Sequence, residues 1–483
     1  MQLITKNIFI NTAFCSTLGW RLRNGKIRTG FSPGQLFRME QGKEIGRLAR
    51  LLYPDGIFVN ELSSEAAANR TRDLLEKPQT GVLFEATFLA GNYIARADIL
   101  VRDANFWELI EVKSSIVAKD EFIDDMAYTT LVAQAAGFFP SAISLVLIDK
   151  NYRYGMPIEQ LFVKIDLTEQ VIEKVKTFQT IVDFIDSVSK TPDEPEPQLK
   201  YNCKQCGEFS ECPGKEIESH IFQIPGIRQK AVENLIASGI TSIHEIPDSF
   251  SLTDNQKRVV DCVKCGKMQI DPDLRKKLAT IRWPAFYLDF ETMMTAIPLW
   301  PDIAPYEQIP IQYSLHICES TGKIIRHIDY LADPHRDCRR ELAKRLIEDL
   351  KGEGSIITYS SFEKTTISKL SKTFSDLSDV LQSLIDRIVD LEQCIKCVNH
   401  PGFCGRTSIK IILPVLVPDL SYGGLEIADG DAALVTFAMM AQGKMDTGEM
   451  ERKRAALLEY CKMDTLAMVR LHEVLHGFFA RDT

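Results

Sequence analysis

Residues 91–115 read GNYIARADILVRDANFWELIEVKSS, two strand-like runs that follow a turn at Gly91-Asn92. Side chains alternate along a strand, so Glu111 and Lys113 project from one face. A neighbouring strand can bring Asp98, thirteen residues earlier, alongside them. Two carboxylates suit a hard divalent cation such as Mg²⁺ or Mn²⁺. A lysine beside them can position and polarise an attacking water. An E-x-K pair alone is common on half-buried strands. The preceding Asp98, the turn and the Ser114-Ser115 pair closing the strand are what single this one out. Glu85, on the run before Asp98, fits an auxiliary ligand as well as it fits a surface carboxylate.

Outward from this stretch, residues 1–190 read as mixed α/β. Amphipathic segments lie near 35–52 and 64–76, strand-like runs at 81–88, 95–102 and 107–114, a helix at 120–137 and a strand at 142–148. The Pro- and charge-rich KTPDEPEPQLK (190–200) marks a connector. A small helical piece, 216–280, includes IPGIRQKAVENLIASGI with Gly226 and Gly239 at its breaks. From about 283 a second α/β unit opens with AFYLDFE and runs to a C-terminal helix at 452–476.

The run RADILVRD…WELIEVKSS resembles the D…ExK core of the PD-(D/E)xK nuclease superfamily, in its RecB-like branch. The resemblance implies a restriction-endonuclease-like core in which Asp98 and Glu111 hold a metal and Lys113 assists catalysis. Relatives carry a glutamine on the helix after the ExK strand. Here DEFIDDMAYTTLVAQAAGF has Thr129 at that place and Gln134 five residues on. Their histidine in the first helix is also missing from GKEIGRLARLLYP, where Glu44 lies nearby.

Twelve cysteines without a secretory leader point to metals or clusters before disulfides. Cys203-x2-Cys206-x5-Cys212 sets three thiols within ten residues, and Cys15 is the distant fourth. Four thiolates bind Zn²⁺ or a 4Fe–4S cluster. The pattern resembles AddB-type iron–sulfur nucleases and the CRISPR-adaptation exonucleases, which implies a structural 4Fe–4S cluster closing the nuclease domain. A zinc knuckle is the alternative.

A further set of acids lies downstream. FYLDFET places Asp289 and Glu291 two apart on an apolar strand. LLEYCKMDTLAM places Tyr460 and Asp464 four apart on one helix face. Glu363 follows Phe362, and Asp390 ends RIVDLE's apolar run. Two-metal phosphodiester hydrolysis uses such carboxylates around ions roughly 4 Å apart. The pattern resembles DnaQ-like exonucleases of the DEDD type with tyrosine in the third motif. That implies an RNase H-like domain with metal ligands at Asp289, Glu291 and Asp464, a catalytic role for Glu363, and Tyr460 orienting water. Relatives usually have Phe-Asp where this chain has Phe362-Glu363. The whole chain resembles an uncharacterised bacterial family joining the two modules. YLDFETMMTAIP, SIKIILPVLVPDLSYGGLEIADGDAA and YCKMDTLAM also carry that resemblance.

Composition frames these readings. The 483 residues are 45% hydrophobic and 25% charged, which excludes disordered, collagen-like and coiled-coil classes. A net charge of −9 gives no bulk attraction for polyanions, so nucleic-acid contact must come from local patches. Residues 1–60 supply one: Lys6, Arg21, Arg23, Lys26, Arg28, Arg38, Lys43, Arg47 and Arg50 against Glu40, Glu44 and Asp55, a local +6. No stretch nears the ~18 apolar residues of a membrane span, and the N-terminus lacks a signal-peptide pattern, so a cytoplasmic location is expected. IPGIRQKAVENLIASGI resembles a helix-hairpin-helix, and a bare spacer fits as well. Cys394, Cys397, His400 and Cys404 offer a possible Zn²⁺ set, whereas Cys262 and Cys265 read as lying on an exposed helix.

The expected organisation is therefore α/β and multidomain. A RecB-like PD-(D/E)xK domain spans 1–215, a helical spacer 216–282 and a DnaQ-like exonuclease domain 283–483. The expected activity is metal-dependent hydrolysis of DNA, single-stranded or at duplex ends. The rivals are an RNase and a nucleic-acid-binding scaffold with one or both sites degenerate.

Overall fold

Three strands with largely buried middles, within residues 82–112, form the centre of the first sheet. In the computed structural model, residues 3–27 and 30–479 are described, and Arg28 lies outside them. They form two units: Met1–Gln198 with Thr295–Glu307, and Leu199–Met294 with Gln308–Thr483.

The first unit opens with helices α1 (Lys6–Phe14), α2 (Ser16–Arg23) and α3 (Pro33–Arg50). Ser32 and Gln35 form a reciprocal cap on α3, and Pro33 sits in its first turn, so the helix start is written in the sequence. There follow β1 (Ile57–Phe58), α4 (Ser64–Leu75), β2 (Val82–Ala90), β3 (Tyr93–Asp103), β4 (Phe106–Val112), α5 (Asp120–Ala135), β5 (Ala142–Ile148), β6 (Phe162–Asp166), α6 (Thr168–Gln179) and α7 (Val182–Lys190). The strands lie in the order β1-β2-β3-β4-β5-β6. β2, β3 and β4 form an antiparallel meander, and β5 runs parallel to β4 after the α5 crossover. Gly91, at φ +57°, supplies the left-handed residue of the tight β2–β3 turn. Leu83, Leu100, Leu109, Met126, Tyr128 and Phe9 share one core between the sheet and helices α1 and α5.

In the second unit, α8 (Gln229–Ala237), α9 (Asp254–Cys265), β7 (Gln269–Ile270) and α10 (Asp273–Leu278) precede the main sheet. The segment before Gly226 is a three-residue 3₁₀ turn, Ile221–Gln223, so the first arm of the hairpin expected there is not an α-helix. Cys265 is exposed but Cys262 is buried, which corrects the expectation for that pair. One side of α9 packs inward through Val259, Val260 and Val263, and Cys262 falls on that side.

The main sheet contains β8 (Ala285–Met293), β9 (Ile309–Ser320), β10 (Lys323–Leu331), β11 (Ile356–Thr358) and β12 (Ile388–Asp390). Around them lie α11 (Arg339–Asp349), α12 (Phe362–Thr373), α13 (Ser378–Ile385), α14 (Glu392–Ile395), β13 (Val398–Asn399), α15 (Ile409–Leu416), α16 (Gly430–Ala441) and α17 (Thr447–Gly477). Strand order is β10-β9-β8-β11-β12, with β8 central, antiparallel to β9 and parallel to β11. Alternation along β8 sends Phe286, Leu288 and Phe290 into one core and Ala285 and Tyr287 into another. The second core is closed by α17 through Ala467, Met468, Leu471 and Leu475. Tyr287 and His472 hydrogen-bond at 2.6 Å, pinning α17 across β8. No helix among the described residues is long and apolar enough to cross a membrane.

Candidate functional site

The β8 face that carries Tyr287 continues to Asp289 and Glu291, and α17, running over it, presents Asp464 and Tyr460 one turn apart. Asp289, Glu291 and Asp464 each offer an oxygen, and these lie within 4.8 Å of one another. Glu291 and Asp464 are buried, at 8% exposure each. Three carboxylates so close in a poorly solvated place cannot all ionise comfortably. Burial, then the charges of Asp464, Glu291 and Glu363, raise Asp289 well above the usual carboxylate range. Burial and Asp464 do the same to Glu291, opposed by Lys410. Burial also raises Asp464, while hydrogen bonding from Tyr422, the charge of Lys410 and Tyr460 pull the other way. A cluster that holds protons for want of counter-charge fits a divalent cation.

Glu363 sits in the first turn of α12, 3% exposed, and its Oε2 is buried with no hydrogen-bond partner. Burial, with Asp390 and Asp464 nearby, pushes it up to about 7. Asp390 stands at the end of β12 opposite Thr358. It spends its oxygens on the backbone N–H of Glu392 at 2.9 Å and on Gln393 at 3.2 Å. The Tyr460 ring is buried, and burial with Asp464 and Glu291 strongly suppresses its ionisation.

Three neighbours were not picked out from sequence. Tyr422 donates its hydroxyl to Asp464 Oδ1. Lys410 Nζ donates to the Ala428 carbonyl at 2.9 Å and stands 5.3 Å from the Tyr460 ring and 5.5 Å from that of Tyr422. Asp429 caps α16 by accepting from the Ala432 N–H at 2.7 Å, and its charge reaches Glu291. The available signal was a lone lysine in the apolar helix IKIILPVL.

In the first unit, the pairings Phe84–Ile99 and Ile99–Ile110 place Glu85, Asp98 and Glu111 in one row across β2, β3 and β4. Glu85 adopts φ +57°, a strained value for a residue inside a strand. Asp98 Oδ2 accepts the Val112 N–H at 2.7 Å. Burial and the charge of Glu111 push Asp98 up to about 8. Burial raises Glu85 too, opposed by Arg50, which lies 3.6 Å away. Burial disfavours ionised Glu111, yet Lys113 and Lys6 outweigh it and hold Glu111 below the usual range. Lys113 Nζ donates to Glu111 Oε1 at 2.9 Å and also to Asp125 on α5. Its ammonium is stabilised by Glu111 and Asp125 against the effect of burial. Thr129, one turn beyond Asp125, returns its hydroxyl to the Asp125 carbonyl. Lys6 and Asp125 are the members of this set that sequence reading did not assign. Part of the basic patch is already paired, Arg21 with Glu194 and Arg47 with Glu44.

The cysteines divide. Cys15 joins α1 to α2 in the first unit. Cys203, Cys206 and Cys212 follow one another on 3₁₀ turns of the second. Among the described residues, Cys394, Cys397, His400 and Cys404 do not form a group with three ligand atoms within 4.8 Å. His400 Nδ1 accepts the Gly402 N–H, capping a 3₁₀ turn, and the Cys397 thiol donates to the Gln393 carbonyl. The short spacing is used to turn the chain, and its side chains serve local bonds.

Comparison with known proteins places residues 286–408 in a match to a family model described as a domain of unknown function, DUF2779. The matched stretch contains Asp289, Glu291, Glu363 and Asp390. The chain is 22% identical over 291 residues to an uncharacterised protein, the MG366 homolog of Mycoplasma pneumoniae. That alignment covers 56% of this chain and 42% of the relative, less than half its length. A weak structural likeness, 15% identical with a TM-score of 0.22, connects the chain with an alkaline exonuclease from Laribacter hongkongensis. It covers 38% of this chain and 88% of that one.

Proposed function

We propose that this protein is a metal-dependent nuclease that hydrolyses phosphodiester bonds of DNA, with two centres. The observation that carries the proposal is the convergence of Asp289 and Glu291 from β8 with Asp464 and Tyr460 from α17. The sheet order around them, third-second-first-fourth-fifth in chain order with only the second strand reversed, supports an RNase H-like, DnaQ-type domain at 283–483. Asp289, Glu291 and Asp464 would hold Mg²⁺ or Mn²⁺, with Glu363 facing the same charge. A divalent ion held there would activate water and offset charge on the phosphate. Tyr460, kept protonated, donates a hydrogen bond that orients the attacking water. Lys410 holds positive charge beside both tyrosines.

The first centre is read as PD-(D/E)xK-like. Its support is the β2–β4 meander followed by α5 and a parallel β5, with Asp98, Glu111 and Lys113 on the face that α5 covers. Asp98 and Glu111 would hold the metal, and Lys113 keeps its proton at Glu111. We assign Cys203, Cys206 and Cys212 to a 4Fe–4S cluster, on the strength of three thiols set within ten residues on short 3₁₀ turns.

The test uses the full chain with Mn²⁺ and end-labelled single- and double-stranded DNA and RNA. Cleavage that is lost only when Asp289→Asn and Asp98→Asn are combined supports two active centres. Cleavage untouched by the double substitution rejects the nuclease reading.

A further inference from the structure

The N-terminal strand of chain before α1 is held firmly. The Ile4 N–H donates to the Asn92 carbonyl at 2.7 Å, and the Ile94 N–H returns to the Ile4 carbonyl at 3.1 Å. That carbonyl also accepts the Tyr128 hydroxyl at 2.6 Å. Thr5 then caps α1. Two residues past this clamp, Lys6 is aimed at the row of carboxylates. Its Nζ lies 3.2 Å from Glu111 Oε1 and 3.2 Å from Asp125 Oδ2. Lys113 contacts the same two oxygens from the other side. Two ammonium groups and two carboxylates thus close a neutral square around the E-x-K pair. The second oxygen of Glu111 is buried without a partner.

One lysine suffices to neutralise Glu111 locally, and the E-x-K spacing already provides it. A second, brought from α1 to the same oxygen and still 36% exposed, has reach and freedom that Lys113, at 18%, lacks. We propose that Lys6 is a substrate-positioning residue of the first centre. Its ammonium bridges Glu111 and Asp125. With a divalent ion on Glu111, Lys6 would turn its donors outward to a phosphate oxygen of the DNA. Three donors on a flexible stem suit that exchange. The proposal rests on reading the first centre as a metal-dependent nuclease site.

Its consequence is a pair of effects with opposite sign. Removing the Lys6 charge takes a competitor away from the metal and a contact away from the phosphate. The test uses the full chain carrying Asp289→Asn and Asp464→Asn, which silences the second centre, and compares Lys6→Met with Lys6→Arg. Mn²⁺ affinity is measured by calorimetry. DNA affinity is measured against salt concentration with Ca²⁺ in place of Mn²⁺. Lys6→Met should tighten Mn²⁺ by about tenfold. It should also weaken DNA binding and reduce the logarithmic salt slope by roughly 0.9, the effect of one lost phosphate contact. Lys6→Arg should restore the slope. If Lys6→Met leaves both affinities unchanged, Lys6 is a surface ion-pair partner only. If it weakens both, its role is structural. Either result overturns the proposal. Mn²⁺ binding that is insensitive to Glu111→Gln would show that the metal-site reading of this centre has failed, and Lys6 with it.

Discussion

Tyr422 donates its hydroxyl to Asp464, linking the loop after α15 to the helix that carries the third carboxylate of the acidic group. A hydrogen bond to the charged form favours ionisation, and here it works against burial. Tyr422→Phe deletes only that donor. About 1 kcal/mol of such a bond is at stake, so Mn²⁺ affinity at this centre should fall about fivefold, measured by calorimetry with Asp98→Asn in the background. Unchanged affinity would mean that Asp464 does not need the tyrosine to ionise.

Metal uptake should be coupled to pH. Asp98 is raised to about 8 and Glu363 to about 7. Each holds its proton more tightly in the folded chain than in the unfolded one. Between about pH 4 and pH 8 the native state therefore binds more protons, and stability falls as pH rises. Thermal melts in EDTA should show Tm declining across that window. With excess Mn²⁺ the decline should shrink or reverse, because bound metal takes over the neutralising role and binding releases protons. A Tm that climbs with pH in EDTA would contradict the assignment of these carboxylates.

Glu363 separates folding from function. Its buried, unpartnered Oε2 is a cost in the metal-free chain. Glu363→Gln removes a like charge from the neighbourhood of Asp464 and Asp390, so the metal-free Tm should hold or rise. Cleavage at the second centre should drop by roughly 100-fold, assayed with the first centre silenced by Asp98→Asn. A parallel loss of Tm and activity would indicate a packing role alone.

Tyr128, fully buried on α5, donates to the carbonyls of Ile4 at 2.6 Å and Ile94 at 3.0 Å. Tyr128→Phe leaves two acceptors short of a donor, and urea unfolding should register a loss of about 1–2 kcal/mol. The same variant should loosen the clamp that aims Lys6.

The cysteine assignment predicts about four irons per chain after anaerobic purification, falling sharply in Cys206→Ser. Stoichiometric zinc in their place would replace the cluster with a knuckle.

Much of this layout is legible in the residues themselves. Glu111 and Lys113 must share a face because strand side chains alternate, and Tyr460 and Asp464 because a helix repeats every three to four residues. The turn at Gly91-Asn92 and the capped start of α3 are equally local. Lys6, Asp125, Lys410 and Tyr422 enter their sites from elements distant in sequence, through packing that no spacing rule encodes. Cys262 failed to read correctly for the same reason. Its helix has an inner side only because Val260 and Val263 meet a core built by residues 221–246. The spacing of Cys394–Cys404 suits tight turns as well as ligands, and His400 caps one such turn.

The first unit is not one continuous length of polypeptide. The connection between β8 and β9 lends it residues 295–307, where Ala296 joins the core of Ile45, Leu161 and Tyr152, and Tyr306 bonds to Ser114 just past the E-x-K strand. An expressed fragment ending near residue 198 would lack that patch and bare its apolar floor. Cutting the two modules apart at a single point in the chain would therefore strip the first one of part of its packing.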